Sequence, residues 1–300
     1  MNILLTGGTG LIGRALCQRW LAQGHRLWVW SRTPERVSEL CGSQVTGVGR
    51  LEDLNQLPLD AVVNLAGAPI ADRPWTRSRR ALLWDSRITL TEQLVQWLET
   101  REQKPPILIS GSAVGRYGDG GERELSEGDQ PVTDDFASKL CNAWEERALA
   151  AERLGIRVVL IRTGLVLAPK GGFLQRLRPL FKLGLGGRQG SGLQWMPWVH
   201  IEDEVGLIDF LLHQPDATGP YNACAPAPVR NAEFARLFAK SLSRPAFFPV
   251  PGPLLKLAMG EMAGLILGGQ NAVPKRALAQ GYAFRFSDLE TALNDCARTD

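Results

Sequence analysis

Along the first half of the chain, short runs of consecutive apolar residues alternate with longer stretches in which apolar residues recur every three or four positions. The runs fall at residues 2–6, 26–31, 44–48, 60–65, 107–110 and 156–162. Because their apolar residues are mostly adjacent rather than alternating, they predict strands covered on both faces, the pattern of a parallel sheet. Between them, Leu11, Ala15, Leu16 and Trp20 form one stripe over residues 11–23, and Leu83, Ile88, Leu94 and Leu98 recur through 77–101. Both stretches predict amphipathic helices. Strand and helix alternating over roughly 160 residues predict an α/β, doubly wound parallel sheet over residues 1–165, with a ligand crevice at the carboxyl ends of the strands.

From residue 166 the pattern changes. Glycine and proline crowd 169–197, and helical stretches at 203–213, 231–242 and 253–267 are joined by short extended pieces. Residues 166–300 therefore read as a smaller, mainly helical region on the substrate side, which returns elements near 195–225 to the first domain. Segment 184–192 is glycine-rich and free of β-branched residues, which suits either a mobile loop over a ligand or a surface excursion.

Composition narrows the function classes. A chain that is 44% hydrophobic and 22% charged is neither disordered nor fibrous. A net charge of +3, from 34 basic and 31 acidic residues, argues for no nucleic-acid and no membrane partner. The five cysteines, Cys17, Cys41, Cys141, Cys224 and Cys296, are scattered without C-x-x-C spacing, which excludes a disulfide framework and a zinc knuckle. The first residues lack the basic start and apolar stretch of a signal peptide, and no apolar run reaches a spanning length. A cytoplasmic protein is the expectation, with His25, His200 and His213 its only imidazoles.

One segment carries specific chemistry. Thr6-Gly7-Gly8-Thr9-Gly10-Leu11-Ile12-Gly13 joins the first strand to the first helix and fits both G-x-G-x-x-G and G-x-x-G-x-x-G. A tight turn, close backbone approach and unpaired helix N–H groups together cradle a diphosphate, so the context predicts a Rossmann-type dinucleotide site. Gly7, Thr9, Gly10, Leu11, Ile12 and Gly13 are its candidate contacts. The second strand ends in Trp30-Ser31-Arg32-Thr33, without the carboxylate that would hold an adenosine 2′-hydroxyl. A guanidinium there suits a 2′-phosphate, so Arg32, helped by Ser31 or Thr33, selects NADP(H) over NAD. The alternative is that Arg32 is solvated and Thr33-Pro34 starts a helix.

Further matches run in order along nearly the whole chain: Asn64-Leu65-Ala66-Gly67, Trp84-Asp85-Ser86-Arg87-Ile88, Ser110-Gly111-Ser112-Ala113, Tyr117-Gly118-Asp119, Arg162-Thr163-Gly164, Gly171-Gly172 and Met196-Pro197-Trp198-Val199-His200-Ile201-Glu202-Asp203. With these the chain resembles the extended short-chain dehydrogenase/reductase superfamily, and within it the atypical NAD-dependent epimerase/dehydratase-like subfamily. The resemblance implies a small C-terminal domain over about 250–297, a small-molecule substrate of the nucleotide-sugar class, and a monomer or homodimer. It also implies cofactor contacts at Asn64, Leu65, Ala66, Gly67, Ser110, Lys139 and Arg162. Most of the superfamily uses a Tyr-x-x-x-Lys pair, the phenol moving the proton and the lysine lowering its pKa. Here four residues after Tyr117, Tyr221 and Tyr282 stand Gly121, Ala225 and Phe286, so the pair is absent.

Candidates for the missing chemistry remain. Ser112 matches the superfamily's active-site serine, against a reading as a strand-end hydroxyl satisfying local backbone. Tyr117 is a substitute acid above the nicotinamide, or a packed phenol bonded to a carbonyl. Lys139 sits at a plausible lysine position, with Asp135 or Phe136 near the tyrosine position, while Asp134 and Asp135 read better as a helix start than as a proton donor. Arg87 and Arg162 suit a substrate phosphate or carboxylate, or an ion pair within the fold. His200 reads as structural, at a strand-to-helix junction. Two functions follow: an NADP(H)-dependent oxidoreductase or epimerase-like enzyme, and a non-catalytic NADP(H)-binding sensor or scaffold. The second connects with cell division through the resemblance.

Overall fold

Seven strands lie side by side in a computed structural model that describes residues 1–298; the last two positions of the predicted second region fall outside the described residues. In chain order they are β1 (Asn2–Thr6), β2 (Arg26–Trp30), β3 (Thr46–Val48), β4 (Ala61–Asn64), β5 (Ile107–Ala113), β6 (Arg157–Thr163) and β7 (Gly219–Ala223). All pair in parallel in the order β7-β6-β5-β4-β1-β2-β3, with Leu5 level with both Val29 and Val63. The order reverses between β1 and β4, and in a doubly wound sheet that switch point is where ligands bind.

Apolar residues on consecutive positions serve both faces. Ile3, Leu5, Val63, Ile109 and Ile161 belong to a core shared with helix α1 (Leu11–Ala22). Their neighbours Leu4, Val62, Leu108, Val158 and Leu160 fill the opposite core against later helices. Beneath α1, Trp20 donates its indole N–H to Asp209 Oδ1 at 2.7 Å, and Arg19 Nε donates to Oδ2 at 2.9 Å.

The long helix predicted over 77–101 is three pieces: α2 (Arg77–Trp84), a π-helical turn (Asp85–Thr89) and α3 (Leu90–Thr100). Helix α4 (Phe136–Leu149) follows β5 and packs on it. The helix predicted over 253–267 breaks at Gly260, whose φ of +58° leaves two short helices, Gly252–Met259 and Gly264–Leu267.

The later residues build a third core from Leu167, Phe181, Trp198, Phe234, Phe238 and Phe286. His200 joins this core to helix α5 (Ile201–His213). Its Nδ1 accepts from the Glu202 N–H at 3.3 Å, its ring centre lies 3.9 Å from that of Phe286 at a tilt of 39°, and its Nε2 faces Asp295 at 3.4 Å. That is the structural role expected of it. Segment 184–192 is tied down: Gly190 donates to the Val250 carbonyl and Val250 to that of Arg188.

Candidate functional site

The turn after β1 is shaped by two glycines. Gly7 has φ +69°, a left-handed conformation, and a Cβ at Gly13 would stand 2.4 Å from the Gly7 carbonyl oxygen. No side chain other than hydrogen fits there. Helix α1 then begins at Leu11 with no side-chain cap and no acidic residue in its first turn, leaving its first N–H groups for an external acceptor. Arg32 projects from the end of β2, exposed and without an ion-pair partner among the described residues, while Ser31 Oγ accepts the Thr33 N–H at 3.1 Å. At the predicted helix start, Thr33-Pro34, a 3-10 turn over Pro34–Arg36 runs directly into a short α-helix, Val37–Cys41, although the Thr33 side chain does not cap it.

Across the strand ends runs a buried polar row. Thr6 Oγ1 donates to Asn64 Oδ1 at 2.6 Å, and Asn64 Nδ2 donates to Ser110 Oγ at 3.1 Å and Thr91 Oγ1 at 2.8 Å. Asn64 and Ser110 are fully buried, so their side chains lock β1, β4 and β5 together instead of reaching a ligand. The crevice wall is left to Leu65, Ala66 and Gly67, which are only partly buried or exposed.

At the end of β5 a second network corrects two expectations. Ser112 Oγ donates to Glu145 Oε1 at 2.7 Å; Arg162 grips the same carboxylate twice, Nε to Oε1 at 2.8 Å and Nη2 to Oε2 at 2.9 Å. Arg116 Nε adds a 3.0 Å contact to Oε2. Arg162 is therefore the fold's own ion pair, 3% exposed, and not a ligand contact. Tyr117 has no exposed surface; its hydroxyl donates to Asn222 Oδ1 at 2.8 Å and accepts from Arg162 Nη1 at 2.9 Å. Burial pushes this phenol above its usual pKa, against the pull of Arg162. A sealed, doubly bonded phenol cannot serve a substrate as acid.

Helix α4 corrects a third. Asp135 caps it, accepting the Ser138 N–H at 2.9 Å, the start role expected of that residue. Its buried residues are Ala137, Ser138, Leu140, Cys141, Trp144, Glu145 and Ala148. Lys139 points outward, 56% exposed, paired with Asp134 at 2.9 Å. Lys139 thus stands at the expected lysine position, with Asp135 and Phe136 near the tyrosine position, and carries its charge toward solvent. The Cys141 thiol is pushed up to about 12 by burial and stays neutral.

Among the buried acids that escaped the sequence reading are Glu145 and Glu204. Glu145 had a signal: it is the one charge within the apolar stripe of α4. Glu204, in the first turn of α5, is fully buried, accepts Thr163 Oγ1 at 2.7 Å and leaves Oε2 unpartnered. Desolvation raises its pKa to about 8. Among the described residues no group of His, Cys, Asp and Glu is placed to hold a metal ion, and no helix is long and apolar enough to cross a membrane.

Comparison with known proteins agrees with this geometry. Residues 3–224 match the NAD dependent epimerase/dehydratase family, and residues 250–296 match a domain of unknown function, DUF1731. An epimerase family protein of Mycobacterium bovis is 40% identical over 294 residues, spanning 97% of this chain and 96% of that one. The crystal structure of human epimerase family protein SDR39U1 (isoform 2) with NADPH superposes with a TM-score of 0.88 at 35% identity, covering 99% of both chains. UDP-glucuronic acid 4-epimerase of Bacillus cereus shares the fold, with a TM-score of 0.78 at 18% identity. With its glycine turn, switch-point crevice and trailing C-terminal region, the chain belongs to the NAD dependent epimerase/dehydratase family.

Proposed function

We propose that the protein binds NADP(H) in the crevice at the β1–β4 switch point, as an epimerase-like member of its family. The observation that carries this reading is the fit of the glycine turn: a backbone cradle that a single Cβ at Gly13 would fill, opening onto an uncapped helix N-terminus. It is supported by the human relative crystallised with NADPH. Thr9, Leu11 and Ile12 would present N–H groups to the diphosphate, while the Gly10 N–H closes the turn on the Gly7 carbonyl at 3.0 Å, and Leu65, Ala66 and Gly67 would flank the dinucleotide. Arg32, with Ser31, would take the 2′-phosphate; it is an exposed guanidinium with no carboxylate to compete for it. Once bound, the cofactor supplies hydride exchange with a carbonyl or secondary alcohol.

The residues of this chain then constrain the proton. Ser112 gives its proton to Glu145, so toward a substrate it acts as an acceptor, positioning a hydroxyl while water carries the proton. A small-molecule substrate of the nucleotide-sugar class fits the reading, in a cytoplasmic monomer or homodimer. A second reading, an NADP(H)-binding sensor or scaffold without turnover, is favoured by one observation: the Tyr117 phenol is sealed and Lys139 faces outward.

The test has two arms. Arg32→Ala should weaken NADPH binding at least tenfold while leaving NADH unchanged; equal losses would remove Arg32 from the site. Purified protein incubated with NADPH and panels of nucleotide sugars, aldehydes and ketones separates the readings. Cofactor oxidation or sugar isomerisation lost in Ser112→Ala supports the enzyme. Tight NADPH binding without turnover, with division proteins co-purifying, supports the sensor.

A further inference from the structure

Several arginines around the crevice pair with a carboxylate, and the partly buried Arg87 does not. Arg116 and Arg162 share Glu145, Arg79 pairs with Asp72, and Arg80 with Glu261. Arg87 has only neutral partners among the described residues: Nη2 donates to the Ala68 carbonyl at 3.0 Å, and Nη1 to the Leu83 carbonyl at 3.3 Å and Ser86 Oγ at 3.4 Å. Among the described residues its Nε makes no hydrogen bond, and its guanidinium lies 5.3 Å from the Trp144 ring. Cys141 beside it is a neutral thiol and supplies no counter-charge. Withdrawing a cation from water without an anion is costly. Arg101, another buried guanidinium without a carboxylate among the described residues, spends Nε, Nη1 and Nη2 on carbonyls away from the crevice, whereas Arg87 lies against the crevice wall.

The surroundings hold that charge in place. Arg87 rises from the π-helical turn between α2 and α3, a distortion that recurs at functional sites. It leans on Gly67 at the crevice wall, where a Cβ would come 2.8 Å from its Cζ. The missing side chain at 67 makes room for the guanidinium.

Resting on the cofactor reading above, we propose that Arg87 is the crevice's anion-binding residue and takes phosphate oxygens of the bound ligand. A phosphate could come from the dinucleotide or from a nucleoside-diphosphate substrate, and the chemistry is the same. The experiment titrates wild type, Arg87→Gln, Arg87→Lys and Gly67→Ala with NADPH and, separately, with uridine diphosphate, following heat and tryptophan fluorescence.

A loss of about ten- to hundredfold in NADPH affinity for Arg87→Gln, partly restored in Arg87→Lys, identifies the dinucleotide as the source. The same loss confined to uridine diphosphate identifies the substrate. Gly67→Ala, which keeps the charge but displaces it, should lose affinity for the same probe, so the answer survives if Arg87→Gln does not fold. Unchanged affinity for both probes in Arg87→Gln and Gly67→Ala would overturn the proposal, as would wild-type protein that binds neither. Wild type that binds uridine diphosphate but not NADPH would sink the cofactor reading while leaving Arg87 testable.

Discussion

Removing Glu145 tests whether the network at the end of β5 is architecture. Its carboxylate accepts Ser112 Oγ at 2.7 Å and Arg162 at 2.8 and 2.9 Å, and faces Arg116 at 3.0 Å. In Glu145→Ala, Arg162 stays 3% exposed with only the Tyr117 hydroxyl and the Glu127 carbonyl as acceptors. Stranding a buried charge costs about 3–5 kcal/mol, and the two retained bonds place this case near the lower end, about 3 kcal/mol. For a chain this long that is a fall of roughly 6–12 °C in Tm. Urea denaturation followed by tryptophan fluorescence reads the loss. The double variant Glu145→Leu with Arg162→Met replaces the pair by apolar groups and should recover at least half of it. A single-variant loss below about 1 kcal/mol, or a double variant no better than the sum of its parts, would refute a structural ion pair.

Three further outcomes follow from the same structure. Tyr117→Phe should destabilise by about 1–3 kcal/mol in denaturation, because Asn222 Oδ1 and Arg162 each lose a partner, while calorimetry shows unchanged NADPH affinity. Lys139→Ala breaks only an exposed pair with Asp134, so stability should stay within about 0.5 kcal/mol and cofactor affinity should not move. Two buried groups with large shifts of opposite sign dominate the pH dependence between about pH 4 and 8. His200, lowered to about 4 by desolvation, makes stability rise with pH between about 4 and 6.5. Glu204, raised to about 8, binds its proton in the fold and releases it when unfolded, so stability is full below about 4.5 and drains away up to about 8. The two slopes oppose each other between about 4.5 and 6.5, and above 6.5 only that of Glu204 remains. Wild type should therefore lose about 2 kcal/mol between pH 6.5 and 8. Glu204→Gln should lose almost none, as denaturation at several pH values would register.

What could be read from sequence was local. Ile3, Leu4 and Leu5 announce a strand buried on both faces because all three are apolar, and the glycines at 7 and 13 stand at fixed offsets from strand and helix. Contacts between distant residues stayed hidden. Tyr117 is sealed by Asn222, 105 positions away, and Asn64 is withdrawn from the crevice by Ser110, 46 away. For Lys139 the difficulty was phase: Cys141, two positions on, is buried while Lys139 is exposed, and the spacing alone does not say which side of a helix turns inward. The π-helical turn at Asp85–Thr89 leaves no propensity signal, since one extra residue per turn only shifts the stripe.

Titration calorimetry of the wild-type protein against NADPH and NADH bears most directly on the dinucleotide site. One NADPH per chain should bind, at least tenfold tighter than NADH, and the heat should vanish in Gly13→Val, whose side chain fills the cradle. Absence of heat with NADPH, or equal affinity for the two nucleotides, would contradict it.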